Sequence, residues 1–298
     1  MKKTPYISII AAAALWGLIG VFVRDLSSRG FTSIELTSLR AFVSAPVLTI
    51  LLLIKDRSLL KIRPKDCWCF IGTGLCSFVF FNVCYFISIS YTSLAVSSIL
   101  LYTAPVFVML LSLVLFREKM TLQKTISLAL AFVGCVLVAG IGQAAAAQVT
   151  AAGIIAGVLS GFGYALYSIF GRYALDKKYD SQTITAYTFV FAAIGCSFLV
   201  DFGGLWEKIG MNLPLILEIL AFGLLSSTIP FLLYTWGLTY VESSKASITA
   251  TVEPMVATLV GIFVFHEEMT AASGIGILCV LAALILLNIN PNSGKRSR

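Results

Sequence analysis

Ten apolar stretches, each long enough to cross a lipid bilayer as a helix, divide almost the whole sequence. The hydrocarbon core of a bilayer takes about 20 apolar residues per helix. Backbone groups in lipid have to bond within their own segment, and the stretches lack the alternating pattern of barrel strands, so helices are predicted. The predicted spans are 5–23, 33–54, 67–90, 94–116, 122–141, 151–173, 182–201, 213–238, 246–265 and 271–289.

Composition excludes a soluble globular domain as the main structure. Of the 298 residues, 59% are hydrophobic and 12% are charged, whereas a soluble domain carries about 25% charge. The first span follows Lys2 and Lys3, as in a signal peptide. Its apolar stretch is long for such a peptide and lacks a convincing cleavage site, so we expect it to be retained as a helix.

The positive residues indicate how the chain is oriented in the membrane. With the N-terminus placed inside, 17 of the 21 Lys and Arg fall in inside segments. Arg24, Arg29 and Lys208 fall outside, and Arg40 lies within a span. Because Lys and Arg accumulate in cytoplasmic loops, we expect a multi-pass protein of the cell (cytoplasmic) membrane with both termini cytoplasmic. The net charge of +7 then reflects insertion, and we expect no nucleic-acid partner.

The chain repeats itself at an offset of 149 residues. The segments Ser98–Thr121 and Ser247–Thr270 share 8 of 24 residues, among them Pro105 and Pro254. A weaker match extends upstream, where "YFISISY" aligns with "YTWGLTY" at the same offset. The sequence therefore predicts two related halves.

We interpret the halves as five-helix repeats, at residues 1–145 and 150–290, followed by a basic cytoplasmic tail at 291–298. Because five is odd, the second repeat enters from the opposite side, and the predicted fold is all-α with two inverted repeats. Inverted repeats are typical of transporters that work by alternating access at a site near the bilayer midplane. A duplicated bundle without transport is the alternative.

Several motifs recur in one known group of transporters. They are "ALWG", "LRAF" and "APVFVMLLSLVLFREKMT" in the first half, and "EPMVATLVGIFVFHEEMT" and "GIGILCVLAALIL" in the second. With them the chain resembles the drug/metabolite transporter superfamily, EamA type, over essentially its full length. The resemblance implies a ten-helix carrier of small metabolites, often an exporter of amino acids or related amines, and it implies no single substrate.

Two ionisable residues lie deep in predicted spans. Arg40 is about two turns into the second span, and Glu253 is near the middle of the ninth, where the first repeat has Ala104. Charges in lipid are costly and face a partner or a wet cavity. One interpretation is a structural pair that ties the halves together. The other is substrate contact, with Glu253 binding a cationic group or carrying a coupling proton.

Aromatic residues within the spans suggest a binding cavity. Rings with a polar edge suit an amphipathic solute, by stacking or by contact with an amine. A membrane-interface belt is the alternative. Asn82 in the third span offers a hydrogen bond. The candidate aromatic residues are Trp16, Tyr85, Tyr102, Tyr164, Tyr167, Tyr234 and Trp236.

The repeated segments contain prolines and glutamates at matched positions. Pro105 and Pro254 lie inside spans, where proline bends a helix, and they are read either as gating hinges or as static kinks. Glu118 and Glu267 follow the same spans at opposite membrane faces. We interpret both as structural residues that accept hydrogen bonds from the start of the next helix, near Thr121 and Thr270.

Small residues indicate a close helix contact in the sixth span. Gly153, Gly157 and Gly161 follow one another at intervals of four residues, which lets neighbouring backbones approach. The run is read as an internal packing face or as a homodimer interface, and the sequence does not select between them.

Motifs for chemistry are missing from the sequence. It has one histidine, no Ser–His arrangement, no metal-spaced cluster and no phosphate-binding loop. We therefore predict no enzyme activity, no cofactor and no metal. The predicted partners are a small-molecule substrate and the lipid bilayer. A channel-like facilitator and a non-transporting receptor or scaffold are the alternatives to a carrier.

Overall fold

The computed structural model describes residues 4–139 and 149–288, and in that part every regular element is a helix. Nine of these helices are long and apolar enough to cross a membrane, and a tenth, at the seventh predicted span, is shorter. Lys2, Lys3 and the predicted tail at 291–298 lie outside the described residues. The ten are α1 (Thr4–Ser28), α2 (Ser33–Lys55), α3 (Pro64–Tyr91), α4 (Leu94–Leu115), α5 (Leu122–Ala139), α6 (Ala151–Asp176), α7 (Ser181–Cys196), α8 (Leu213–Leu238), α9 (Ser243–Phe265) and α10 (Ala271–Asn288).

The helix α7 differs most from its predicted span. It has 16 residues, which cover about 24 Å at 1.5 Å per residue. Hydrogen-bonded turns at 197–200 lead to a short surface helix, Phe202–Ile209, whose first turn is capped by Asp201. The apolar run continues through the turns, so composition predicted a longer helix than the backbone forms.

Helices of the first half pack on helices of the second half, and helices at equivalent positions contact equivalent partners in the opposite half. The helix α1 contacts α8 and α9, and α6, its counterpart in the predicted repeat, contacts α3 and α4. The helix α2 packs against α7, and α5 packs against α10. Gln123 at the start of α5 donates to the carbonyl of Leu286 near the end of α10. Lys55 at the end of α2 donates to Gln182 at the start of α7, at 3.1 Å. These equivalent helices therefore run antiparallel.

The helix connections lie on two faces of the bundle. Of the connections that the structure describes, we name the Glu118 face for α2–α3, α4–α5, α6–α7 and α8–α9, and the Glu267 face for α1–α2, α3–α4, α7–α8 and α9–α10. On the Glu118 face, the buried carboxylate of Asp66 accepts a hydrogen bond from Lys177 at 2.7 Å. This bond ties the first turn of α3 to the α6–α7 connection, and so joins the two halves.

The helices α4 and α9 are interrupted at matched places. The break in α4 lies at Tyr102 and Thr103, and the break in α9 lies at Thr251, the equivalent of Tyr102 at the 149-residue offset. Pro105 and Pro254 follow the breaks. Because proline has no N–H, the carbonyl four residues earlier loses its helical partner. The predicted bends are present as breaks, and their use as hinges stays a prediction.

The helices α3 and α8 contain π-helical turns at overlapping repeat positions. These turns cover Gly72–Val79 and Leu224–Thr228. A π turn shifts the register of the backbone hydrogen bonds and leaves carbonyls for other donors. In this segment the side-chain amide of Asn82 donates to the carbonyl of Phe78 at 2.7 Å.

The three spaced glycines of α6 pack inside the chain. A Cβ added to Gly157 would come within 2.4 Å of the Leu100 side chain, and one on Gly161 within 2.9 Å of the Leu100 carbonyl oxygen. The backbone of α6 therefore touches α3 and α4 only because these positions lack side chains. The run is an internal packing face, and its interpretation as a homodimer interface is wrong. A homodimer through another surface stays a prediction.

We expect Gly161→Val to destabilise the protein, because the new side chain would meet backbone oxygens that cannot move aside. Overpacking of this kind costs about 1–3 kcal/mol. Gly20→Val is the matched control, since no atom lies within 4 Å of its Cβ position. Thermal unfolding of the detergent-solubilised protein measures the difference. Equal melting temperatures for the two variants would contradict the packing role.

Candidate functional site

A cluster of aromatic rings lies where α1, α3, α6 and α8 meet. The buried ring of Trp16 has its centroid 5.1 Å from Phe231 and 5.5 Å from Tyr234. Tyr164 lies 6.3 Å from Trp16, and Tyr167 lies 4.9 Å from Phe231. These spacings and the mostly edge-to-face orientations are favourable for aromatic pairs. The cluster therefore joins the first half to the second.

Hydroxyl groups in this cluster are held by hydrogen bonds. The Tyr167 hydroxyl lies 2.6 Å from Thr235 Oγ1, and the Tyr234 hydroxyl lies 2.8 Å from Ser168 Oγ. Buried polar atoms need such partners. The bonds fix the two rings against α6 and α8, so the cluster is a defined surface with polar edges.

The break in α9 places Glu253 beside the aromatic cluster. The helix restarts at Val252, so Glu253 lies in its first turn, where the positive end of the helix dipole stabilises a carboxylate. The Tyr164 hydroxyl donates a hydrogen bond to Glu253 Oε2 at 3.3 Å. A Cβ on Gly17 would lie 2.8 Å from the Glu253 carbonyl oxygen, so this glycine lets α1 approach the break closely.

The side chain of Arg40 is buried and ties α2 to α8. Its Nε donates to Ser227 Oγ at 2.9 Å, and its Nη2 donates to the Ser226 carbonyl in the π turn of α8 at 3.1 Å. The guanidinium also lies 5.2 Å from the ring centroid of Phe78. Among the described residues, no ion pair joins Arg40 directly to Glu253. Arg40 therefore links the halves through α8 rather than through that carboxylate.

Two small cavities flank Tyr164. The aromatic cavity, of about 20 Å³, is lined by Trp16, Phe78, Phe81, Tyr164, Tyr167, Phe231 and Tyr234 together with two serines. The acidic cavity, of about 10 Å³, includes Tyr102, Pro105, Tyr164, Thr251 and Glu253 in its lining. A single water needs about 10–15 Å³. A metabolite therefore fits at either cavity only if the surrounding helices move apart.

Most of the predicted binding residues lie at these cavities. Six of the ten line one of them, namely Trp16, Tyr102, Tyr164, Tyr167, Tyr234 and Glu253. Arg40 reaches the rim through Phe78. Substrate contact by all of these residues stays a prediction.

Three predicted residues are engaged elsewhere. Asn82 bonds a carbonyl of its own helix, and the Tyr85 hydroxyl lies 2.8 Å from Ser98 Oγ. Trp236 is 36% exposed and packs on Tyr240, with ring centroids 5.3 Å apart. The structure thus does not bring Trp236 into the cluster.

Sequence reasoning missed the phenylalanines of the aromatic cavity. The chain has 21 phenylalanines, and a ring without a polar edge gives no sign of whether it faces lipid or a cavity. Helical spacing offered a signal, because Phe78 and Phe81 lie on the same side of α3 as Tyr85, at intervals of three and four residues.

Comparison with known proteins places the chain among membrane transporters. The family described as "EamA-like transporter family" matches residues 3–140 and again residues 151–289. An uncharacterized transporter of Archaeoglobus fulgidus is 31% identical over 284 residues, covering 94% of each chain. The uncharacterized transporter YwfM of Bacillus subtilis is 22% identical over 99% of this chain and 97% of its own length. A crystal structure at 17% identity has the same fold, with a TM-score of 0.79 over 97% of both chains.

These findings define a multi-pass membrane transporter rather than an enzyme. The family matches cover nearly all of the described helices. The chain belongs to the EamA-like transporter family.

We expect Arg40→Leu to lower thermal stability, because it leaves the Ser226 carbonyl and the Ser227 hydroxyl without their charged donor. Hydrogen bonds to charged groups contribute about 1.5–3 kcal/mol each. Ser227→Ala removes one of the two bonds and should have a smaller effect. Melting in detergent, followed by size-exclusion chromatography, measures both. An Arg40→Leu protein that melts like the wild type but loses transport would point to substrate contact instead.

Proposed function

We propose that the protein is a secondary transporter that exports small metabolites, such as amino acids or amines, by alternating access. The substrate site lies near the bilayer midplane, between two inverted repeats of five membrane-spanning helices each. The observation that carries this proposal is the paired break of α4 and α9 beside Glu253 and the aromatic cluster. Broken helices at matched repeat positions are where transporters of this kind hold their substrates.

The repeats that we propose are residues 1–145 and 150–290. Three observations support them: the family matches twice, equivalent helices such as α5 and α10 run antiparallel, and the contacts between halves exchange in pairs. An inverted pair has two ways to dock, which are related by exchanging the conformations of the halves. Such an exchange would open the site to each membrane face in turn.

We assign the Glu118 face to the cytoplasm of a cell membrane, with both termini and the basic tail at 291–298 on the same side. The support is the positive-inside rule, applied to 17 of 21 basic residues. The export direction follows the resemblance to amino acid exporters, and no cofactor is required.

The site chemistry suits a solute with a cationic head and an apolar body. Glu253 in the acidic cavity would bind an ammonium group or carry a coupling proton, and the rings of the aromatic cavity would hold the apolar part. Tyr164 lines both cavities, and its hydroxyl donates to Glu253. Both cavities are too small for a metabolite here, so Pro105 and Pro254 would act as the hinges that widen them.

Reconstitution in lipid vesicles tests the proposal. A screen of solutes retained by cells with and without the gene supplies the candidate, and labelled solute is then measured in vesicles. A carrier gives saturable flux that substrate on the opposite side accelerates. Conductance without saturation would identify a channel, and a copurifying partner without any flux would identify a receptor or scaffold.

We expect Glu253→Gln to lower transport about 10- to 100-fold while the protein stays folded. This range corresponds to losing one hydrogen bond to a charged group, about 1.5–3 kcal/mol. Glu207→Gln on the surface helix is the control for charge, since Glu207 is exposed. Tyr164→Phe keeps the ring and removes only the hydroxyl that donates to Glu253.

Two assays separate the two roles of the carboxylate. If Glu253 binds an ammonium group, both exchange and gradient-driven transport fall in Glu253→Gln. If it carries the coupling proton, exchange persists and only accumulation driven by a pH gradient is lost. Wild-type rates in both assays would remove Glu253 from the mechanism.

A further inference from the structure

Glu118 and Glu267 leave their helices with the same local geometry. Each follows a residue in the left-handed region, Arg117 at φ 54° and His266 at φ 56°. The Glu118 N–H donates to the Ser112 carbonyl at 3.1 Å, and the Glu267 N–H donates to the equivalent Gly261 carbonyl at 3.0 Å. This pattern is a Schellman-type helix end. The backbone at the helix end therefore does not distinguish the two glutamates.

Glu118 closes its face of the bundle by binding the start of α9. Its Oε1 accepts from the Ser243 N–H at 2.9 Å, and its Oε2 accepts from the Ser244 N–H at 3.3 Å and from the Ser244 hydroxyl. Lys124 lies 3.6 Å from the same carboxylate, and the two side chains are only 4% and 10% exposed. The end of α4 is thus fastened to the first turn of α9.

Glu267 makes no such contact on the opposite face. The equivalents of Ser243 and Ser244 at the repeat offset are Leu94 and Ala95, the first residues of α4. Within residues 4–139 and 149–288, no hydrogen bond joins Glu267 to either of them. Its carboxylate is 62% exposed and pairs with Arg24 at 3.6 Å. The first N–H groups of a helix have no partner within it, so the start of α4 offers two equivalent donors, the N–H groups of Leu94 and Ala95.

One sequence difference gives Glu267 a resting place that Glu118 lacks. Glu267 Oε2 lies over Gly261, so close that a Cβ there would be 2.5 Å away. The first repeat has Ser112 at this position, whose side chain occupies the equivalent space. Glu267 can therefore fold back on α9, whereas Glu118 cannot fold back on α4. This difference favours the conformation seen here.

We propose that Glu118 and Glu267 are alternating latches. In the second conformation, Glu267 leaves Gly261 and accepts hydrogen bonds from the N–H groups of Leu94 and Ala95, while Glu118 releases Ser243 and Ser244. This inference rests on the proposed alternating access and identifies the contacts that hold each face shut. Glu118 and Glu267 bind no substrate, and each sets how long one face stays closed.

Hydrogen–deuterium exchange of the full chain in lipid nanodiscs tests the latches, because it reads the four amides directly. We expect Glu118→Gln to speed exchange at Ser243 and Ser244 about tenfold, in line with losing a bond to a charged acceptor. The same variant should slow exchange at Leu94 and Ala95, because the opposite face now closes.

Glu267→Gln should shift the populations the other way, with faster exchange at Leu94 and Ala95 and slower exchange at Ser243 and Ser244. Glu268→Gln is the matched control, since it removes a neighbouring exposed carboxylate and should leave both sites unchanged.

Gly261→Ala provides a test that keeps every charge. The added methyl displaces Glu267 from its resting place, so this variant should behave like Glu118→Gln at both amide pairs. If each variant changes exchange only on its own face, or on neither, the alternating latch is wrong. Transport is scored separately. Reciprocal changes in hydrogen–deuterium exchange at the two amide pairs, without any solute flux, would reject the proposed function and keep the latches. Solute flux without reciprocal changes in hydrogen–deuterium exchange would keep the proposed function and reject the latches.

Discussion

Backbone hydrogen bonding in lipid is the constraint on which the rest of this structure depends. Water is absent from the bilayer core, so each N–H and C=O needs a partner inside the protein. The breaks of α4 and α9 and the π turns of α3 and α8 free such groups. Side chains donate to carbonyls in these irregular segments, as Arg40 does to the Ser226 carbonyl and Asn82 to the Phe78 carbonyl. Irregular backbone and buried polar side chains therefore occur close together.

Much of the fold could be predicted from the sequence, because a chain in lipid has to cross it as helices of about 20 apolar residues. The predicted span 213–238 has the same bounds as α8, although a π turn lies inside it. Apolar length reports that a segment crosses the membrane, and it does not report the hydrogen-bond register within the crossing. For the same reason, apolar length did not predict that α7 ends at Cys196, since the apolar run continues beyond that residue.

The candidate site was less predictable from the sequence, since it depends on which face of each helix lies toward the interior of the bundle. Tyr234 and Trp236 are both aromatic and only two residues apart, so they point about 200° from each other on a helix with 3.6 residues per turn. Tyr234 joins the aromatic cluster, and Trp236 packs on Tyr240. The glutamate partners were also missed. Glu118 was expected to accept hydrogen bonds from the start of the next helix. It pairs there with Lys124 at 3.6 Å, but its hydrogen bonds come from α9 in the other half, a contact that no local pattern encodes.

The differences between the halves carry as much meaning as their likeness. A perfectly repeated chain would have two conformations of equal energy and the same chemistry on both sides of its axis. Here Glu253 stands where the first half has Ala104, which places a carboxylate at the acidic cavity. Gly261 stands where the first half has Ser112, which gives one glutamate a resting place. The helix α1 is interrupted at Leu18, close to Glu253, while its counterpart α6 is continuous. In the proposed mechanism, repetition would supply two exchangeable conformations, and these substitutions would decide which conformation is preferred and what it binds.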